Sequence, residues 1–179
     1  MRILKLILGM VKAKLISMFS FGKIKFILPI KFGKNVILSH RGNGKIDFGK
    51  HVSLNNNAHL YVVDGAMLKI GSFSGVGDNN IIVAREKISL GENVMLGANV
   101  CIYDHDHEFR KEGNFRDQGY NAAPVIIEDN VWLGAGVIVL KGVTIGTGSV
   151  IAAGTIVNKD IPPNSIVYNK REFVVKERM

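Results

Sequence analysis

The chain has few of the residues that cross-link or interrupt a fold. Its 179 residues include one cysteine, Cys101, and four prolines. A single cysteine excludes an intrachain disulfide framework and suits a reducing compartment. Because prolines are few and no long polar tract is present, little room is left for a disordered linker, and the length predicts a single domain.

Long apolar runs are also missing. The N-terminus is the most apolar stretch, but Lys5, Lys12 and Lys14 interrupt it before it reaches the ~20 apolar residues of a transmembrane helix. Because no small-residue cleavage site follows this stretch, a secretory signal is not expected either.

Acidic residues are absent from residues 1–46, which hold ten of the 23 Lys and Arg side chains. The formal net charge of +8 therefore comes from this quarter. We predict a basic, apolar helical segment over residues 1–28, in which Arg2, Lys5, Gly9 and Lys12 form a narrow polar stripe. Two interpretations stay open. Residues 1–20 lie on an anionic membrane, or the helix covers the end of a β-structure. No module for reading nucleic acid is recognisable, so nucleic-acid binding is not expected.

Glycine is abundant instead, with 20 residues, and aliphatic residues recur every six positions. Six residues per repeat and three repeats per turn describe an all-β fold, a triangular parallel β-helix whose corners hold small or turn-tolerant residues. A conventional antiparallel domain is disfavoured, because its strands would alternate every two residues. The recurring positions are Ile70, Val76, Ile82 and Ile88, then Leu90, Leu96 and Ile102, and finally Ile127, Leu133, Val139, Ile145, Ile151 and Val157.

The repeat stops once, and the interruption is the candidate site. A loop over residues 103–123 contains His105 and His107 beside Asp104, Asp106 and Glu108. Long loops on rigid scaffolds are usually functional. A histidine next to carboxylates can act as a general base near neutral pH. The alternatives are a solvated loop whose histidines have no role, and a zinc site.

Three stretches of sequence resemble the hexapeptide-repeat acyltransferases, and within them the maltose, galactoside and polysaccharide O-acetyltransferases. They are residues 99–107 (NVCIYDHDH), 124–134 (PVIIEDNVWLG) and 157–164 (VNKDIPPN). The resemblance spans about residues 65–167. It implies a left-handed β-helix over residues 29–167, followed by a C-terminal tail at 168–179. It also implies a homotrimer that binds acetyl-CoA in the groove between neighbouring subunits.

The resemblance further implies roles for individual residues. Aligned without gaps from Asn99, the family's catalytic histidine falls at His107, and His105 is the second candidate. Glu108 stands where the family usually has a proline. Trp132 matches a tryptophan that packs near the acetyl group and the pantetheine arm. The stretches that line the coenzyme groove match Gly134, Ala135, Ala152, Ala153 and Lys159. No metal is expected.

The acceptor site is predicted less directly. Asp78, Asn79 and Asn80 are expected about one coil before the loop, and with Asp104 they are candidates to hold the hydroxyls of an acceptor. The alternative for residues 78–80 is that they are corner residues in the left-handed conformation.

These features predict an acetyl-CoA-dependent O-acetyltransferase that acts on a sugar hydroxyl of a surface polysaccharide or its precursor. The expected location is the cytoplasm, with peripheral contact at the inner face of the cell membrane. Two alternatives are a soluble sugar, serine or antibiotic acetyltransferase and a nucleotide-sugar N-acetyltransferase. A γ-type carbonic anhydrase has the same scaffold, but His40, His51 and His59 lie too early in the chain to supply its zinc ligands. An inactive assembly scaffold is disfavoured by the intact motifs.

Overall fold

The structure is a computed structural model that describes residues 2–170 and residue 175. Within these residues one helix, α1 (Arg2–Phe19), precedes 21 short strands and one 3₁₀ turn at Phe115–Asp117. The strands are β1 (Ile24–Phe26), β2 (Lys31–Phe32), β3 (Ile37–His40), β4 (Lys45–Phe48), β5 (Ser53–Leu54), β6 (His59–Val62), β7 (Met67–Ile70), β8 (Gly75–Val76), β9 (Ile81–Ala84), β10 (Lys87–Leu90), β11 (Met95–Leu96), β12 (Cys101–Tyr103), β13 (His105–His107), β14 (Tyr120–Ala122), β15 (Val125–Ile127), β16 (Trp132–Leu133), β17 (Ile138–Val139), β18 (Thr144–Ile145), β19 (Val150–Ile151), β20 (Ile156–Val157) and β21 (Ile166–Val167).

The strands form the three faces of a prism. Face 1 has the order β1-β4-β7-β10-β15-β18, face 2 the order β2-β5-β8-β11-β16-β19-β21, and face 3 the order β3-β6-β9-β12-β17-β20. Within each face every strand pairs in parallel with its equivalent one coil away. The chain is therefore a left-handed parallel β-helix of about six coils, as the sequence predicted.

The predicted six-residue positions form the core. All of the recurring aliphatic residues from Ile70 to Val157 are buried, and they belong to one continuous hydrophobic cluster along the prism axis. Asparagines occupy corner positions with positive φ, including Asn57, Asn79 and Asn130. Left-handed conformations favour asparagine because its short polar side chain tolerates them.

The coils before residue 70 are longer than the later ones. Lys31, Ser53 and Gly75 are stacked equivalents spaced 22 residues apart, whereas Trp132 and Val150 are spaced by 18. The additional residues lengthen the strands on faces 3 and 1, where β3, β4, β6 and β7 have four residues each. The β-helix therefore begins at Ile24, well before the region in which the six-residue period is visible.

Helix α1 packs on the open end of the prism, against β1 and β2 of the first coil. The side of the helix that meets the coil carries small residues: Gly9 and Ala13 are buried, and a Cβ at Gly9 would lie 2.9 Å from the carbonyl oxygen of Ile30. Just after the helix, the hydroxyl of Ser20 accepts a hydrogen bond from the amide of Ile24. The helix thus covers part of the end of the prism, as one of the two interpretations predicts.

Within residues 2–170 and 175, no helix is both long and apolar enough to span a membrane. At the other end, β21 is the last strand in the part of the chain that the structure describes. Most of the predicted tail at 168–179 lies outside the described residues, which end at 170 apart from residue 175.

Candidate active site

The interruption of the repeat is a structured hairpin. It leaves the corner between faces 3 and 1, after β12, and returns at β15. Strands β13 and β14 pair antiparallel at its base, with His105 opposite Ala122 and His107 opposite Tyr120. The 3₁₀ turn lies near the tip, where the side chain of Asn114 accepts a hydrogen bond from the amide of Arg116. The two histidines are thus held on a short strand close to the prism.

Asp104 is buried at the base of the hairpin, two residues after the core residue Ile102. Its carboxylate accepts hydrogen bonds from the amides of Arg85, Glu86 and Lys87 at 2.8–3.0 Å. These three amides form the same corner one coil earlier. A buried carboxylate is stable only when its oxygens are paired, and backbone donors are among its strongest partners. Asp104 therefore fixes the start of the hairpin to the preceding coil.

His105 is the partner of this carboxylate. Its Nδ1 lies 3.1 Å from Oδ1 of Asp104, and its side chain is 11% exposed. If Nδ1–H donates to the carboxylate, Nε2 keeps the lone pair that a general base needs. Burial lowers the pKa of His105 and the positive charge of Arg85 lowers it further, against the opposing effect of Asp104. The imidazole is therefore neutral, and able to accept a proton, at neutral pH.

His107 has a different environment. It is exposed and its ring is tilted over that of Tyr120, with a centroid distance of 4.5 Å. Among the described residues its imidazole has no hydrogen-bond partner. Residues two apart on a strand share a face. Both histidine rings contact the ring of Tyr120, and the ring centroids of His105 and Tyr120 are 5.6 Å apart. The structure thus brings the two predicted histidines together, and it gives only His105 an orienting carboxylate.

Sequence reasoning missed two residues near this pair: Tyr120, whose ring contacts both histidines, and Arg85, which lies against the Tyr120 ring. The guanidinium carbon of Arg85 lies 3.2 Å from the centroid of the Tyr120 ring. Its Nε is buried without a hydrogen-bond partner among the described residues. Arg85 precedes the loop by one coil and Tyr120 follows its tip, so no local motif connects them. Counting one coil back from Asp104 along the same corner could have identified Arg85.

Residues 78–80 form a corner between faces 2 and 3. The carboxylate of Asp78 accepts from the amide of Asn56, the side chain of Asn79 accepts from that of Asn57, and Asn80 accepts from the amide of Val100. Asn79 has a φ of 57°, and Asn80 is fully buried. This corrects the expectation for Asn80 and Asp104, because both are buried and their oxygens are occupied within the coil. Of the three, only Asn79 has the left-handed conformation of the corner alternative, and Asp78 lies beside it at the corner with its carboxylate bonded to the adjacent coil.

All of the predicted coenzyme residues except Lys159 lie on another part of the prism. Trp132 points outward from face 2, is 48% exposed, and stacks between Met95 and Val150 of the adjacent coils. Ala135 and Ala153 occupy the corner between faces 2 and 3, one coil apart. A Cβ on Gly134 would lie 2.6 Å from the amide nitrogen of Ala153, so close packing of coils requires this glycine. Of this set, Lys159 follows β20 at the corner from which the hairpin leaves.

One chain therefore does not bring the two predicted halves of the site together. The hairpin projects from the corner between faces 3 and 1, which is opposite to face 2, the face that carries Trp132. Ala152 and Ala153 lie at the far edge of face 3 from the hairpin. Within one chain, His105 and Trp132 thus lie on opposite sides of the prism.

No group of three or more His, Cys, Asp or Glu side chains in the described part of the chain is arranged to hold a metal ion. The early histidines are spread over the first coils. His40 ends β3, His59 begins β6, and His51 is a corner residue stacked on Phe73 at 5.1 Å.

Comparison with known proteins agrees with this architecture. A family described as the hexapeptide repeat of succinyl-transferase matches residues 87–103 and 124–159. The galactoside O-acetyltransferase of Escherichia coli K12 is 36% identical over 122 residues, which cover 66% of this chain and 58% of the relative. The putative lipopolysaccharide biosynthesis O-acetyl transferase WbbJ of the same organism is 26% identical over 150 residues, or 76% of this chain and 74% of the relative. Against the first three curated relatives, the chain spans 38–58% of their length.

Two solved structures extend the comparison. The N-acyltransferase AntD from Bacillus cereus, in complex with a dTDP-amino sugar and coenzyme A, superposes with a TM-score of 0.71 at 18% identity, covering 92% of this chain and 90% of that one. At this identity the likeness shows the fold alone. A hexapeptide-repeat acetyltransferase from Vibrio cholerae, complexed with acetyl coenzyme A, gives a TM-score of 0.50 at 26% identity, covering 76% and 64%.

Fold and corner pattern together define a left-handed β-helix of hexapeptide coils with one histidine-bearing hairpin. The matches confirm the resemblance that the motifs predicted: the chain carries the hexapeptide repeat and is similar to acetyltransferases that share it.

Proposed function

We propose that the protein transfers an acetyl group from acetyl-CoA to a sugar hydroxyl of a surface polysaccharide or its precursor. The observation that carries this proposal is the pair formed by buried Asp104 and half-buried His105 at the base of the hairpin. It is the arrangement that a general base for a hydroxyl nucleophile requires. The printed names of the relatives, galactoside O-acetyltransferase and lipopolysaccharide O-acetyl transferase, support a sugar hydroxyl as acceptor.

His105 is the proposed base, in place of the sequence-based first choice, His107. Nε2 of His105 removes the proton of the acceptor hydroxyl as that oxygen attacks the thioester carbonyl. Collapse of the tetrahedral intermediate breaks the carbon–sulfur bond, and the imidazolium returns its proton to the departing thiolate of coenzyme A. Asp104 holds the ring in the required tautomer and stabilises the imidazolium. Proton transfer by a positioned base is worth about 10²–10⁴-fold.

The coenzyme is proposed to bind along the outward side of face 2, with Trp132, Ala135 and Ala153 in contact with it. The separation of these residues from the hairpin within one chain supports the homotrimer, since a neighbouring copy would bring its hairpin to this surface. The V. cholerae protein, which was crystallised with acetyl coenzyme A, supports the identity of the donor. A cytoplasmic location is part of the proposal, because acetyl-CoA is a cytoplasmic metabolite in this role.

The proposal is tested by measuring coenzyme A release from acetyl-CoA with a panel of galactosides, glucosides, amino sugars and serine. Mass spectrometry then locates the acetyl group on oxygen or nitrogen. Acetylation of a sugar hydroxyl supports the proposal. Acetylation of only an amino sugar or of serine would assign the chain to one of the alternative acetyltransferases. Calorimetry that finds no binding of coenzyme A to the purified protein would refute it.

The acid limb of the pH–rate profile gives a second check on His105. Burial and Arg85 lower the pKa of this imidazole, because both disfavour the charged form. A base must be neutral to act, so activity is lost as pH falls through the pKa. We expect the half-maximal point of kcat/KM to lie below the ordinary histidine value of about 6.5. A limb centred above that value would contradict the assignment.

Trp132→Ala tests the coenzyme surface. We expect KM for acetyl-CoA to rise about fivefold with a smaller change in kcat, because the loss of a large aromatic contact costs about 1 kcal/mol. Ile37→Ala is the matched control, since Ile37 is similarly exposed but lies in the first coil. Equal KM values for both variants and the unaltered chain would place the coenzyme elsewhere.

A further inference from the structure

Helix α1 packs on the prism mainly through small side chains, whereas a helix usually buries its large apolar ones. Gly9 and Ala13 are buried against the coil together with the partly buried Ile16, and six other large apolar side chains of the helix face away from it. A helix that only covers a core would bury its largest apolar residues. Those on the outward side are 47–74% exposed: Ile7, Leu8, Val11, Leu15, Met18 and Phe19. The sequence-based helical wheel grouped Gly9 with lysines in a polar stripe, and the structure shows that Gly9 faces the prism.

We name these six residues the outer face of α1. At 100° per residue they occupy one continuous arc of the helix, and Lys12 and Lys14 border it on opposite sides. Lys12 lies beside the prism, with Nζ 5.0 Å from the centre of the Phe32 ring. Directly after the helix, Phe21 is 91% exposed. The outer face is therefore a wide apolar surface with a lysine on each side, Lys12 and Lys14.

The surrounding charge has one sign. The first 46 residues contain ten basic and no acidic side chains. If two copies of α1 met through their outer faces, the lysines of one helix would lie against those of the other. Because the interface would exclude water, this repulsion disfavours self-association. An anionic bilayer complements both features, because its acyl region accepts the apolar arc and its headgroups accept the lysines.

We propose that the outer face of α1 docks the protein on an anionic lipid bilayer, with the helix axis in the plane of the headgroups. The surface binds lipid without the catalytic site, so docking does not depend on the proposed reaction. It adds a partner that the reaction does not require. The prism then stands on the membrane through its N-terminal end, because α1 packs on the first coil.

The test is cosedimentation of the full chain with vesicles of phosphatidylcholine, with and without phosphatidylglycerol, in the absence of acetyl-CoA. We expect binding to the anionic vesicles, weaker binding to the neutral ones, and loss of binding as salt is raised. Recovery of the protein in the supernatant with both vesicles, or equal binding to both, would overturn the proposal.

Variants separate the apolar contribution to membrane binding from the electrostatic one. The double variant Val11→Asn, Leu15→Asn changes only outward side chains, and we expect at least about a tenfold fall in partitioning. Its control is Ile37→Asn, an equally exposed change on the prism. Lys14→Gln should weaken binding to anionic vesicles about fivefold, and Lys45→Gln should not. Unchanged partitioning of both test variants would refute the docking surface.

Light scattering tests the alternative that the outer face binds a second copy of the chain. If the outer face instead binds a second copy, the double variant will have a smaller mass than the unaltered chain and neither will bind vesicles, which would overturn the proposal. Thermal unfolding of each variant shows that it is folded. Coenzyme A release with a soluble sugar, measured without vesicles, should be the same in the double variant and the unaltered chain, so a failure of docking is distinguishable from a failure of the proposed reaction.

Discussion

Replacing His105 with Gln is expected to lower kcat by about 10²–10⁴-fold with little change in KM, because the variant removes the proton acceptor and leaves the binding surfaces in place. Gln is chosen because its amide can still donate to the carboxylate of Asp104, which keeps the base of the hairpin intact. The measurement is the steady-state rate of coenzyme A release with a saturating acceptor.

His107→Gln is the matched control for this prediction. The two histidines lie on the same face of β13 and both contact Tyr120, but only His105 has a carboxylate partner. We expect a change of less than about tenfold for His107, consistent with the loss of a contact and not of a base. If the larger loss occurred with His107→Gln, the base would move by two residues to the position that the gap-free alignment indicates.

The second large effect is expected for Asp104→Ala. This substitution leaves the amides of Arg85, Glu86 and Lys87 without their acceptor in a buried position. Each unsatisfied buried donor costs about 1–3 kcal/mol, so we expect the free energy of unfolding to fall by roughly 3–5 kcal/mol, since such losses are not additive. Urea unfolding monitored by circular dichroism measures this change.

Asp106→Asn is the control for the loss of a carboxylate in the same hairpin. Its ion pair with Lys141, at 3.1 Å, is exposed, and exposed pairs contribute about 0–1 kcal/mol. Equal stability losses for Asp104→Ala and Asp106→Asn would contradict the structural role of Asp104.

To show that Asp104 also positions the base, a measurement is needed that a loss of stability would not change. The pH dependence of kcat/KM is such a measurement. Asp104 raises the pKa of His105, against the larger effect of burial. Asp104→Asn removes this charge and keeps the shape, so the acid limb of kcat/KM should move to lower pH while kcat falls. An unchanged limb would show that Asp104 supports the fold without acting on the base.

The sequence predicted the β-helix because one inward residue per face repeats every six positions from Ile127 to Val157. It did not reveal the first coils as clearly, because four additional residues per coil lengthen the strands and obscure the period before Ile70. The position of the hairpin was visible as the single break in the repeat. The sequence did not show that the side chain of Asp104 points into the coil, because the backbone amides that it binds, those of Arg85–Lys87, precede it by 17–19 residues.

The separation of the two halves of the site is also a property of the fold that the linear sequence does not display. His105 and Trp132 are 27 positions apart, close enough to suggest one cleft, yet they belong to a corner and to the face opposite to it. Only the assignment of strands to the three faces shows that these two residues lie on opposite sides of the prism. Similarly, a helical wheel identifies the apolar arc of α1, but packing on the first coil decides which side faces outward.

The number of coils has a consequence for the proposed docking of α1 on a membrane. The hairpin leaves the fourth strand of face 3, three coils from the end that α1 covers. Stacked strands lie about 4.8 Å apart, which raises the imidazole roughly 15 Å above the first coil. If α1 docks on lipid and His105 is the base, as proposed, the number of coils between them sets the distance from the membrane at which the acceptor is modified. Insertion or deletion of a whole coil would change that distance in fixed steps without altering the hairpin.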